Sequence, residues 1–74
     1  MTAERVLEIV HAEVPACREV TLETKLDDTG MDSLDFLFLV GQLEVEFNIK
    51  SIPTEQYLKW NTVGDIASWI ESLN

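Results

Sequence analysis

The chain contains a single cysteine, Cys17, and a single histidine, His11. One thiol excludes an internal disulfide and a thiolate metal cluster, and points to a reduced, cytoplasmic setting. Cys17 reads as a small, half-buried filler following the first helix. A serine nucleophile needs a base within hydrogen-bond reach and a third group to orient that base. His11 falls with Glu8 and Ala12 on a helical pattern and reads as a surface side chain, so catalysis is excluded on inventory. Basic residues are also scarce, 5 against 14 acidic ones, giving a formal net charge of −9. Such a chain repels nucleic acid and anionic membranes and favours partners with basic surfaces. No apolar run approaches the roughly 18 residues that cross a bilayer. The opening Met1-Thr2-Ala3-Glu4-Arg5 lacks the basic-then-apolar layout of a secretion signal. The loop Asp27-Asp28-Thr29-Gly30 lacks the sixth-position glycine and twelfth-position glutamate of a calcium loop, so no specific metal site is expected. Diffuse divalent binding that relieves self-repulsion is the most it offers.

What is present suffices for a core. Of 74 residues 46% are apolar, an ordinary fraction for a folded chain, and the length allows one small domain spanning residues 1–74 and not two. Val6, Leu7, Val10 and Val14 recur on one helical face and predict a first helix from about residue 3 to about residue 14, capped by Thr2 and stopped by Pro15. A long connection follows, in which Val20, Leu22 and Leu26 are spaced to anchor it to the core. Beyond the second helix, Ile52-Pro53 forces an extended approach to a single turn over Thr54–Leu58 capped by Thr54. Thr62 and Asp65 form a capping box for a last helix with a buried face of Val63, Ile66, Ala67, Ile70 and Leu73. Trp69 lies off that face and reads as half exposed. The pattern predicts an all-α fold, a bundle of three main helices plus one short helix with a long first loop.

The second helix, from Ser33 to about Phe47, is apolar on two sides. Phe36, Val40, Leu43 and Phe47, with Leu37 at the edge, form a stripe that reads as core. Leu34, Phe38, Gly41 and Val45 share its spacing on the opposite side, with Asp35, Gln42 and Glu46 as a polar seam between and Glu44 on the other flank. So short a chain has little material to bury both faces, so the second stripe is expected to be exposed and to meet a partner. Its alternative is a stripe covered by the first loop.

That helix begins at Gly30-Met31-Asp32-Ser33-Leu34-Asp35, where a loop delivers a serine between two carboxylates. Asp32 or Ser33 is suited to cap the helix. The whole run, followed by Phe36-Leu37-Phe38-Leu39-Val40 and Leu43-Glu44-Val45-Glu46-Phe47, resembles the phosphopantetheine attachment site and second helix of acyl carrier proteins. Length, acidity, Ile52-Pro53 and Thr62-Val63 fit that family as well. The resemblance implies a carrier rather than an enzyme, holding acyl groups as thioesters on a 4'-phosphopantetheine arm, derived from coenzyme A and attached at Ser33. It implies as partners a phosphopantetheinyl transferase, an acyl-loading or aminoacyl-loading ligase or transferase, and downstream synthase enzymes. These would dock on Asp32, Leu34, Asp35, Phe38, Gly41 and Val45 of a monomer. Fatty-acid carriers often hold an acidic residue where this chain has Phe38, which favours a specialised fatty acid or polyketide pathway. Bulky Phe36, beside Leu39 and Val40, would crowd the way in for a long acyl chain and favour short or polar cargo. An aminoacyl or peptidyl carrier is the alternative within the class, and an unmodified acidic helical docking module the alternative outside it.

Overall fold

The computed structural model describes residues 2–14 and 19–73. Among these, four helices follow in the order α1 (Thr2–Glu13), α2 (Ser33–Glu46), α3 (Thr54–Tyr57) and α4 (Val63–Ser72), with a 3-10 turn at Leu26–Asp28 ahead of α2. No strand occurs among the described residues, where an isolated antiparallel bridge joins Lys25 to Thr62. The all-helical bundle expected from the pattern is the observed architecture. No helix among the described residues is long and apolar enough to cross a membrane. Pro15 and Cys17, expected to stop α1 and to fill a half-buried position, lie outside the described residues.

α1 packs against both α2 and α4. Its buried side comprises Val6, Ile9 and Val10, with Val14 just beyond the helix and Leu7 half-buried. Ile9 joins the face because α1 is covered from two directions, which widens its apolar stripe beyond the positions that spacing picks out. Thr2 stands inside α1 rather than ahead of it as a cap.

In α2 the buried residues are Leu39, Val40 and Leu43, flanked by half-buried Phe36 and Phe47. Leu37, expected at the core edge, is instead 51% exposed, and Leu39 is fully buried in its place. At about 100° per residue the two lie on opposite sides of the Phe36–Val40–Leu43 stripe, and the core lies on Leu39's side. Beyond the end of α2, Asn48 takes a φ of 54° that turns the chain left-handed, while the Ile49 N–H donates to the Glu44 carbonyl at 2.8 Å. This closing motif satisfies carbonyls that the last turn would otherwise leave unpaired. The Glu44 carboxylate also accepts from the Ile52 N–H at 2.7 Å, pinning the extended Ile52-Pro53 connection to α2. Thr54 does not cap α3; extended Pro53 precedes the helix without a side-chain bond, and Thr54 is the first helical residue.

The connection before α2 is strapped to the start of α4 through its backbone. Val63 donates to the Thr24 carbonyl at 3.1 Å, Gly64 to Leu22 at 2.8 Å, and Leu26 to Asn61 at 2.8 Å. The first two bonds satisfy amides that the opening turn of a helix leaves without partners. A Cβ at Gly64 would stand 3.0 Å from the Leu22 carbonyl oxygen, so this close approach favours glycine. Leu26 is buried and Val20 packs on the core, as expected, but the Leu22 side chain is 38% exposed and that residue is anchored by its carbonyl instead.

α4 buries Val63, Ile66, Ala67 and Ile70, with Trp69 half-buried. Leu73, expected on this face, is exposed because it is the C-cap, where the helix has ended. The Thr62–Asp65 capping box is present. The Asp65 carboxylate accepts from Asn61 N–H at 2.8 Å and Thr62 N–H at 3.0 Å, and these bonds hold its pKa below the ordinary 3.8. A depressed folded-state pKa gives stability that is fully present above pH 3.8 and is lost as pH falls through the folded value. The stability gap between the wild type and Asp65→Asn is therefore expected to shrink on acidification below about pH 4. Paired thermal melts across that range would check it, and a gap that stays constant would remove Asp65 from the acid response.

Candidate functional site

The approach to α2 is built from small residues with fixed tasks. Thr29 is buried, and its hydroxyl donates to the Leu26 carbonyl at 2.6 Å, closing the 3-10 turn. Gly30 then takes a φ of 82°, a left-handed conformation that glycine adopts without a side-chain clash. Asp32 caps α2: its carboxylate accepts from the Asp35 N–H at 2.8 Å, and Asp35 returns a longer contact of 3.5 Å to the Asp32 N–H. Ser33 is the first residue of α2 and is exposed. Of the two capping candidates, Asp32 takes the role, which leaves the Ser33 hydroxyl outside the capping box.

Ser33 borders a cavity of about 250 Å³ between the start of α2 and the α3 segment. Its lining takes in exposed Asp27, Asp32 and Leu58, buried Leu26 and Trp60, and half-buried Met31, Phe36 and Tyr57. Phe36 meets Tyr57 edge-on with centroids 5.6 Å apart and Trp60 at 6.5 Å, while Trp60 meets Trp69 at 5.8 Å. Trp60 is 6% exposed, and its Nε1–H has no acceptor among the described residues. Leu39 and Val40, expected beside Phe36 at this opening, lie in the core and do not line the cavity. Met31, Tyr57 and Trp60 were not singled out by sequence reasoning. The available signal was the Tyr57-x-x-Trp60 spacing after Ile52-Pro53, which sets two aromatics one helical turn apart.

The other side of α2 presents Leu34, Phe38 and Val45 to solvent at 63%, 59% and 80% exposure, and no described segment covers them. Leu34, Leu37 and Phe38 line a shallow hollow of about 180 Å³, so Leu37 belongs to this surface. Gly41 is half-buried, and an added Cβ there would meet nothing within 4 Å. A helical glycine costs roughly 0.5–1 kcal/mol relative to alanine, and packing within the chain gives no reason for it. In the polar seam, Glu46 is bound to Arg5 at 2.7 Å, and Arg5 also reaches Glu8 at 2.9 Å. The Arg5 hydrogen bond lowers the Glu46 pKa and raises that of the guanidinium. Asp32 is exposed and Asp35 partly buried, both at the Ser33 end of the stripe. His11 is exposed on α1, remote in sequence from the cavity lining.

Residues 4–70, a span that includes Ser33 and Trp60, match the family described as the phosphopantetheine attachment site. The acyl carrier protein of Azobacteroides pseudotrichonymphae genomovar. CFP2 is 39% identical over 72 residues, covering 95% of this chain and 85% of that protein. The acyl carrier protein of Streptococcus pyogenes serotype M1 is 44% identical over 69 residues, covering 92% of this chain and 89% of that protein. That of Streptococcus thermophilus strain CNRZ 1066 is 41% identical over the same length, with the same 92% and 89% coverage.

Proposed function

The chain belongs to the acyl carrier proteins of the phosphopantetheine attachment family, and from that premise we propose that Ser33 is the residue to which its arm is joined. Membership makes the chain a carrier and not a catalyst, with a covalently bound 4'-phosphopantetheine, and sets aside the unmodified docking module. The observation that carries the Ser33 reading is an exposed hydroxyl at the first position of α2, with the capping duty taken by Asp32. The residues around it suit the group: a cavity with an apolar wall opens beside the serine. When bound, the arm supplies a thiol on which cargo is held as a thioester. Gly30 and Asp32 hold the serine outward for an incoming transferase. Asp27 and Asp32 set negative charge beside the cavity, which steers partners with basic surfaces and weakens in effect as salt rises. Incubation with a promiscuous phosphopantetheinyl transferase and coenzyme A is expected to add one group, localised to Ser33 by fragmentation of the intact protein. No gain in mass, or a gain at another side chain, would overturn the assignment.

The partner surface in this reading is the stripe of Leu34, Phe38, Gly41 and Val45, with Asp32 and Asp35 at its Ser33 end. It would be met by the transferase, by a loading ligase or transferase and by downstream synthase enzymes. The chain acts as a monomeric, cytoplasmic, single carrier domain over 1–74. Its Cα radius of gyration of 11.1 Å supports one compact unit, since about 11 Å is typical of this length. The large exposed aromatic at position 38 supports service in a specialised fatty acid or polyketide pathway; loading with an amino acid or peptide is the alternative. Phe38→Ala is expected to lower kcat/KM of the transferase for this protein substrate about tenfold, the effect of losing roughly 1.4 kcal/mol at a contact. The melting temperature should be unchanged. An unaltered kcat/KM would take Phe38 out of the docking surface.

A further inference from the structure

We infer that a partner enzyme holds this chain by apolar contact rather than by ion pairs: a helix with an uncharged face lies along the exposed stripe of α2 and comes closest at Gly41. The inference rests on the reading of that stripe as the partner surface. Gly41 stands in mid-helix, where glycine is less favourable than alanine. The described residues offer no packing reason for it, because a Cβ added there would meet nothing within 4 Å. Glycine's remaining use at such a position is to let a second backbone come near. Leu34, Leu37, Phe38 and Val45 around it are each more than half exposed, so the notch left by the missing side chain is open to a partner.

The spacing favours a helix as the occupant. Four residues at i, i+3, i+4 and i+7 frame a hole that receives one side chain of a facing helix. Leu34, Leu37, Phe38 and Gly41 frame one such hole, and the first three of them line the hollow of about 180 Å³. Phe38, Gly41, Gln42 and Val45 frame the next. A facing helix with apolar residues one turn apart fills both together, whereas a single side chain from a loop fills one. Gly41 is a corner of both holes, so the two helices come nearest there, and the spacing of packed helices is set by the side chains at their contact.

Charge narrows the chemistry of that helix. Leu34, Leu37, Phe38, Gly41 and Val45 are all uncharged, and the carboxylates that border them are already engaged within the chain. Asp35 completes the capping box, Glu44 accepts from the Ile52 N–H at 2.7 Å, and Glu46 accepts from the Arg5 guanidinium at 2.7 Å. A basic partner residue set against this border would compete with those bonds; an apolar one would not. The net charge of −9 still acts at a distance. It governs how fast a complex forms, while contact along the stripe governs how slowly it separates.

Binding of the unmodified protein to an immobilised promiscuous phosphopantetheinyl transferase, with coenzyme A left out so that no group is transferred, gives both rates. Raising sodium chloride from about 0.05 M to about 0.5 M is expected to slow association about tenfold and to leave the dissociation rate constant. Gly41→Ala is expected to dissociate about fivefold faster, the effect of one surplus methyl in a close-packed contact. It should also melt roughly 2–8 °C higher than the wild type, so its weaker binding cannot come from a weaker fold. Dissociation that quickens with salt, or Gly41→Ala that separates no faster than the wild type, would overturn the inference. Phe38→Ala distinguishes the two readings. If it speeds dissociation and Gly41→Ala does not, this inference alone is overturned; if neither does, the stripe is not the partner surface and both readings are overturned.

Discussion

Ser33→Ala is expected to remain bare under conditions that load the wild type completely, and to melt where the wild type melts. The two halves of that result come from one feature of the helix start. The amide that needs an acceptor finds it in the Asp32 carboxylate, so the Ser33 hydroxyl is not part of the cap. Alanine at an exposed first helical position is a good helix former, and surface changes of this kind usually stay within about 0.5 kcal/mol. For a domain of this size that is at most about 4 °C in melting temperature. Loading, by contrast, depends on the Ser33 hydroxyl itself, which alanine removes. Asp32→Ala should show the reverse pattern, keeping the hydroxyl but losing a cap worth about 0.5–2 kcal/mol. Intact-mass measurement after transferase treatment, paired with thermal melts followed by circular dichroism, separates the two roles. Mass gained by the alanine variant would show that another side chain accepts the arm.

The parts of this site that were readable in sequence are those whose partners lie within one helical turn. A cap at Asp32 or Ser33 and a box of Thr62 with Asp65 were readable because such bonds span three residues; Asp32 takes the first role, with Asp35 completing a box that was not foreseen, and the second box is present. The exposed stripe through Leu34, Phe38 and Val45 was readable because a helix apolar on two sides in a short chain has nothing left to cover one of them. The phase of that helix was less readable for the same reason: with apolar residues nearly all round, periodicity fixed the general direction of the core but not the choice between Leu37 and Leu39. Leu22 was misjudged because its tie to Gly64 runs through the backbone, and backbone bonds leave no side-chain pattern. Trp60 was missed because it follows a short irregular stretch with no period, while its aromatic partner Phe36 is distant in the chain.

Leu39→Ala is expected to cost about 2–5 kcal/mol, and Leu37→Ala, two positions earlier, about 0.5 kcal/mol or less. Leu39 is fully buried in the cluster that joins α1, α2 and α4, whereas half of Leu37 faces solvent beside Leu34 and Phe38. Truncating Leu39 removes apolar contact and leaves a void that a close-packed interior fills only in part. At roughly 0.05–0.15 kcal/mol per residue, a chain of this length has about 4–11 kcal/mol in total. One buried leucine is therefore a large share of what holds the charged bundle together. Urea titration followed by circular dichroism gives both numbers, and an unchanged slope would show that the denatured state is unaltered. The comparison also bears on function. If Leu37 were the costly position and Leu39 the cheap one, α2 would have to be turned toward Leu37. The Leu34–Phe38–Val45 surface would then roll toward the bundle, and the chain would lose the apolar face proposed to meet the enzymes that load and unload it.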